Sequence, residues 1–220
     1  MRHFLGRFAP SAFLLTAQLL LLVLYAVFEE AHTGRAIISA FGVLVLVLRV
    51  WVVNRSPAQD WVAWALVIPA FILSILSALY ISSTLLVWSS LIDAALYFYT
   101  AVSLIAYMME DYRVTTDELF AVGATFTLLA WGFAYLFLVC QTLLPGSFIS
   151  SLNTSQLMTF VDLLFVSFTN LSSVGLSDIV PVRTTARVLV MFEQIIGVGY
   201  VAVVISRLVG LTVQRGRESM

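Results

Sequence analysis

Six apolar runs dominate this chain: residues 11–28, 36–53, 61–82, 84–108, 119–144 and 184–211. Each is near or above the roughly 20 residues that a helix needs to cross about 30 Å of hydrocarbon. In lipid, an isolated segment satisfies all its backbone groups only as a helix. The expected fold is therefore an all-α membrane protein with six transmembrane helices. The composition agrees, with 61% hydrophobic and 10% charged residues in 220. A soluble domain of that size would show far more polar surface to water. A formal net charge of -1 argues against nucleic acid as a partner. The one cysteine, Cys140, lies within an apolar run. It excludes an intramolecular disulfide and a cysteine metal cluster, and reads as a small buried hydrophobe. The chain shows no nucleophile–base pair, phosphate-binding loop or zinc motif, so neither an enzyme nor a cofactor is expected.

Arginine placement sets the orientation. With the N-terminus inside, one side collects Arg2, Arg7, Arg49, Arg55, Arg113, Arg207, Arg215 and Arg217, and the other only Arg35, Arg183 and Arg187. That bias predicts both termini in the cytoplasm, and the expected location is the plasma membrane, crossed several times. The acids Glu110, Asp111, Asp117 and Glu118 sit on the arginine-rich side, but acids count little in this rule. Run 11–28 is long for a leader and lacks a small-x-small cleavage site, so a retained span is expected. The short tail after residue 211 leaves no expected room for a ligand-binding gating domain. Pro69 should kink the third helix, and the junction Ser82-Ser83-Thr84 is very tight.

The segment Thr169-Asn170-Leu171-Ser172-Ser173-Val174-Gly175-Leu176-Ser177-Asp178 is polar and carries a glycine. It lies between the last two long runs, after a short apolar stretch, 160–170, that predicts a helix. Non-helical backbone at membrane depth is tolerated where protein or a water-filled path surrounds it, so this is a re-entrant loop. Asp162 falls in the first turn of the short helix, where an acid is favourable.

Ser173-Val174-Gly175-Leu176-Ser177-Asp178 resembles the Thr-Val-Gly-Tyr-Gly-Asp filter of the tetrameric potassium channels. Ile179-Val180-Pro181-Val182 resembles the turn after it, Arg187 falls at the start of the inner helix, and Gly197 at that helix's hinge glycine. The likeness covers roughly 119–214. It implies a domain of four N-terminal helices over 1–117 and a pore domain over 118–220. It implies a homotetramer as well, since one loop cannot close a ring. Carbonyls of Ser173, Val174, Gly175 and Leu176 would point inward to hold potassium in place of its water shell. The Ser173 hydroxyl would add an innermost ligand, and Asp178 would attract cations at the outer mouth. Val198, Val201, Ile205 and Ser206 would line the cavity. Two letters depart from the family. Leu176 replaces a tyrosine whose hydroxyl ties down the filter. Ser177 replaces a glycine that takes left-handed angles, at a cost of roughly 1–2 kcal/mol for other residues. Both predict a looser upper filter.

Other features keep two readings each. Gly197 and Gly199 serve as a hinge or as a close-packing surface. Glu193, an acid inside the last span, is functional or makes a structural hydrogen bond to the helix over 160–170, which the resemblance makes the pore helix. Asp93 lies about 14 Å deep in the fourth helix and Arg49 about 20 Å deep in the second. They are within reach of an ion pair, with a ligand or proton sensor as the other reading. The fourth run, 84–108, has no basic residue, which excludes an arginine-based voltage sensor. Glu29, Glu30 and His32 read as a solvated turn, or less simply as a divalent metal site.

The sequence thus points to a passive potassium-channel-like pore in contact with membrane lipid and monovalent cations. A weakly selective cation channel that also passes sodium stays open. So does a non-conducting membrane scaffold or regulatory subunit with a degenerate filter.

Overall fold

The computed structural model describes residues 10–28, the positions 42, 45 and 48, and 60–80, 82–110, 116–151 and 157–218. Expectations that rest on Glu29, Glu30, His32, Arg49 and most of the run 36–53 lie outside the described residues. The elements are α1 (Pro10–Phe28), α2 (Asp60–Leu79), α3 (Ser83–Glu110), α4 (Thr116–Leu143), β1 (Phe148–Ser150), α5 (Phe160–Leu171), β2 (Ile179–Pro181) and α6 (Thr184–Glu218). Three of these helices are long and apolar enough to span a membrane: Ser83–Met109, Asp117–Leu143 and Thr184–Arg207. Shorter apolar stretches run over Pro10–Tyr25, Trp64–Leu73 and Phe160–Leu171. Helix α2 continues through Pro69, and the break before α3 is as short as the Ser82-Ser83-Thr84 junction predicts.

The chain forms two compact units. One takes in Met1–Val67 and Tyr99–Thr127, the other Ile68–Phe98 and Leu128–Met220. In the first, one carboxylate ties three helix ends. Asp117, in the first turn of α4, accepts from the Ser11 backbone N–H at 3.1 Å, the Ser11 hydroxyl at 3.2 Å and the Tyr107 hydroxyl at 3.2 Å. An acid at a helix N-terminus also faces the positive end of the helix dipole. Further along, Thr127 of α4 donates to the Gln18 amide oxygen of α1 at 2.8 Å, and both side chains are buried. In an apolar surrounding, such pairing avoids the cost of a stranded polar group.

The second unit is built round α5. Phe133, Phe137 and Cys140 of α4, Leu163 and Val166 of α5, and Ala186 and Val190 of α6 form its apolar core. Cys140 is a buried free thiol within it. Phe148 and Ile179 bring the two strands onto the same core. The strands pair antiparallel, Phe148 with Pro181, Ile149 with Val180 and Ser150 with Ile179. An all-α reading of the sequence misses this small sheet. Its strands are three residues long and far apart in the chain, so neither carries a period-2 signal.

Candidate functional site

Helix α5 is pinned at its start. Thr159 caps it, accepting from the Asp162 N–H at 3.2 Å while the Asp162 carboxylate accepts from the Thr159 N–H at 2.8 Å. This reciprocal capping box satisfies two donors that a helix start leaves open. Just before the cap, the buried Gln141 side chain of α4 holds both backbone groups of Met158. It donates to the carbonyl at 2.9 Å and accepts from the N–H at 3.1 Å. Phe160 packs its ring tilted against Trp131 and Tyr135 of α4, with ring centroids 5.7 and 4.7 Å apart. The sequence reading finds Asp162 but not its partner Thr159, although a Thr-x-x-Asp spacing is a visible sign.

The far end of α5 turns directly into the loop. The Ser173 N–H donates to the Asn170 carbonyl at 2.9 Å. The N–H groups of Val174 and Gly175 donate to the Thr169 carbonyl at 3.0 and 2.9 Å. Three successive amides thus cap carbonyls that the helix end would leave unmatched. In a planar trans peptide, each N–H points opposite to the preceding carbonyl. The carbonyls of Ser172, Ser173 and Val174 therefore point away from α5. The backbone achieves this by alternating hands: Ser172 is right-handed (φ -77°), while Ser173 (φ 60°) and Gly175 (φ 66°) are left-handed. Residues 172–176 are exposed, Leu176 at 74%.

Above Gly175 the pattern changes. Its carbonyl accepts from the Ser177 N–H at 3.1 Å, a contact across one residue. The Ser177 hydroxyl accepts from the Ile179 N–H at 3.0 Å. The sequence reading gives the left-handed strain to Ser177. The structure gives it to Ser173 instead, and Ser177 escapes it by closing this tight turn. Asp178 is exposed, and its carboxylate accepts from the Ser150 hydroxyl at 2.8 Å. Its carbonyl accepts from the Ser151 N–H at 2.8 Å. Beyond it, Arg187 donates through Nε to the Pro181 carbonyl at 3.2 Å.

Behind the loop stands α6. Its buried residues Ala186, Val190, Glu193, Gly197 and Tyr200 recur every three or four positions and make one stripe. Glu193 is fully buried, and its Oε1 accepts from the Ser167 hydroxyl of α5. The Ser167 hydroxyl also lies 2.7 Å from the Ala130 carbonyl of α4. Gln194 donates to the Asn170 side-chain oxygen at 3.0 Å. The two glycines separate. A side chain at Gly197 would overlap the Leu171 backbone, whereas Gly199 has open space around it. Of the two readings of Gly197, the structure displays close packing. Val198, Val201, Ile205 and Ser206 are exposed and lie off the buried stripe. Asp93 is half-buried on α3, and its expected partner Arg49 lies outside the described residues.

A short helix whose C-terminal end feeds an exposed loop with outward carbonyls, between two long apolar helices, defines a pore-loop membrane protein. A family model described as an ion channel matches residues 67–214, and the chain belongs to this pore-loop, potassium-type ion channel family. No curated protein and no solved structure matches the chain.

Proposed function

We propose that the protein is a passive, homotetrameric monovalent cation channel of the plasma membrane, with residues 173–177 as its ion path and 118–220 as its pore-forming part. The observation that carries this is the loop backbone. With the N–H groups of Ser173, Val174 and Gly175 turned onto α5, the Ser173 and Val174 carbonyls face away and can form rings when copies meet on an axis. The Ser173 hydroxyl would add an innermost ligand to them. The C-terminal end of α5, which feeds the loop, carries partial negative charge that would favour a cation. The exposed apolar faces of α6, including Phe192 at 57% and Ile195 at 68%, supply surface for lipid and neighbouring copies. Val198, Val201, Ile205 and Ser206 are then the cavity wall, mostly apolar. The arginine bias keeps both termini cytoplasmic.

One observation favours weak selectivity over tight potassium selectivity. The Gly175 carbonyl already accepts from the Ser177 N–H, so as an upper ligand it would share its oxygen with its own loop. Two lower carbonyl rings and a hydroxyl ring remain. Ion flux from liposomes holding the purified protein, under potassium and then sodium gradients, tests both points. Flux of potassium and sodium at similar rates is the expected result. Potassium alone would overturn the weak-selectivity reading. Flux of neither, from an intact tetramer, would overturn the channel reading in favour of a scaffold.

A further inference from the structure

Three contacts join α6 to the last turn of α5, and they are in step. Glu193 meets Ser167, Gln194 meets Asn170, and Gly197 meets Leu171. Steps of four along α6, from Glu193 to Gly197, match steps of four along α5, from Ser167 to Leu171. In a helix this spacing keeps both members on one face. The gripped turn is the one that holds the loop, for the Thr169 and Asn170 carbonyls accept from Val174, Gly175 and Ser173.

We propose that Glu193 and Gly197 are positioning residues for the loop carbonyls, acting through α5 rather than on the ion. Resting on the channel reading above, this makes α6 a brace against the root of the ion path instead of a helix that hinges at Gly197. Glu193 anchors the start of the turn through the Ser167 hydroxyl. Gly197 lets the two backbones approach, because any side chain there would meet the Leu171 carbonyl group, with its carbon 2.9 Å from an added Cβ. Both conditions fix the direction in which the turn offers its carbonyls. The loop amides follow, and with each amide the carbonyl of the preceding peptide. A buried acid with one oxygen bonded to Ser167, and the other unpartnered among the described residues, is costly to keep. A simple apolar packing contact would not need it.

Amide hydrogen exchange on the full-length protein in lipid nanodiscs tests this directly, read by mass spectrometry on the peptide that carries residues 172–175. Glu193→Leu and Ser167→Ala are expected to speed exchange of the Ser173, Val174 and Gly175 amides roughly tenfold, the scale of one lost buried hydrogen bond. Exchange along residues 118–124 of α4, away from the Ala130 carbonyl that Ser167 also meets, should stay unchanged. Glu193→Gln keeps an oxygen for the Ser167 hydroxyl and should restore protection to within about twofold. Gly197→Ala should speed loop exchange at least as much as Glu193→Leu. Unchanged loop exchange in Ser167→Ala, or equal acceleration in the loop and α4, overturns the proposal. If Glu193→Leu fails to assemble, the smaller Ser167→Ala change decides. The same samples in liposomes report potassium and sodium flux. A wild-type protein that passes neither ion would defeat the channel reading, while the exchange data would still decide the positioning role.

Discussion

The Ser150 hydroxyl donates to the Asp178 carboxylate at 2.8 Å, joining strand β1 to the residue just past the loop 173–177. The acid that the sequence assigns to cation attraction is thus also a structural anchor. Ser150→Ala should cost about 1 kcal/mol, which lowers Tm in detergent by about 2–4 °C. Asp178→Ala should lower it similarly, and the double variant should add little beyond either. A thermal melt followed by tryptophan fluorescence checks this. Full additivity of the two losses would mean that the pair is not coupled.

Gln141 predicts a larger loss. Both ends of its amide serve the Met158 backbone, and both partners are buried. Gln141→Leu leaves an N–H and a carbonyl unmatched in apolar surroundings. The cost should reach roughly 2–3 kcal/mol, two to three times the Tm loss of Ser150→Ala. A loss no greater than that of Ser150→Ala would show that other groups replace the amide.

Gly197→Ala and Gly199→Ala should part company despite lying two residues apart. The first forces a methyl into the Leu171 carbonyl and should destabilise by about 1–3 kcal/mol. The second meets nothing within 4 Å, and should be neutral or stabilising by up to about 1 kcal/mol through helix propensity. Tm and the elution of the assembly on a sizing column would report both. Equal effects would restore the hinge reading for the pair.

The double substitution Leu176→Tyr with Ser177→Gly should raise the ratio of potassium to sodium flux. Glycine opens left-handed angles at 177, and the tight turn that occupies the Gly175 carbonyl can then unwind. A ratio no higher than that of the wild type would show that residues 176 and 177 do not set it.

Much of this arrangement is legible in the chain. The apolar runs give the long helices, and the short run ahead of a polar glycine segment gives α5 to within one residue of its end. That Glu193 needs a partner follows from its place in an apolar run, and the pore helix is the expected source. The match of Gln194 to Asn170 does not follow, because it depends on the rotation of α6 about its own axis. Gly197 and Gly199 read alike for the same reason. The β1–β2 pairing escapes because its register is set across the whole of α5 and the loop, by contacts distant in sequence. The move of left-handed strain from Ser177 to Ser173 escapes because local propensity cannot tell which of two serines the helix end will pull into line.

The single buried stripe of α6 divides that helix between two kinds of neighbour. Glu193 and Gly197 answer to the chain's own α5, and substitutions there act inside one subunit before any ion or lipid is involved. Ile195 and Ile196, between them in sequence, face outward, and substitutions there act on whatever surrounds the chain. Two changes three residues apart, at Glu193 and Ile196, therefore pose unrelated problems.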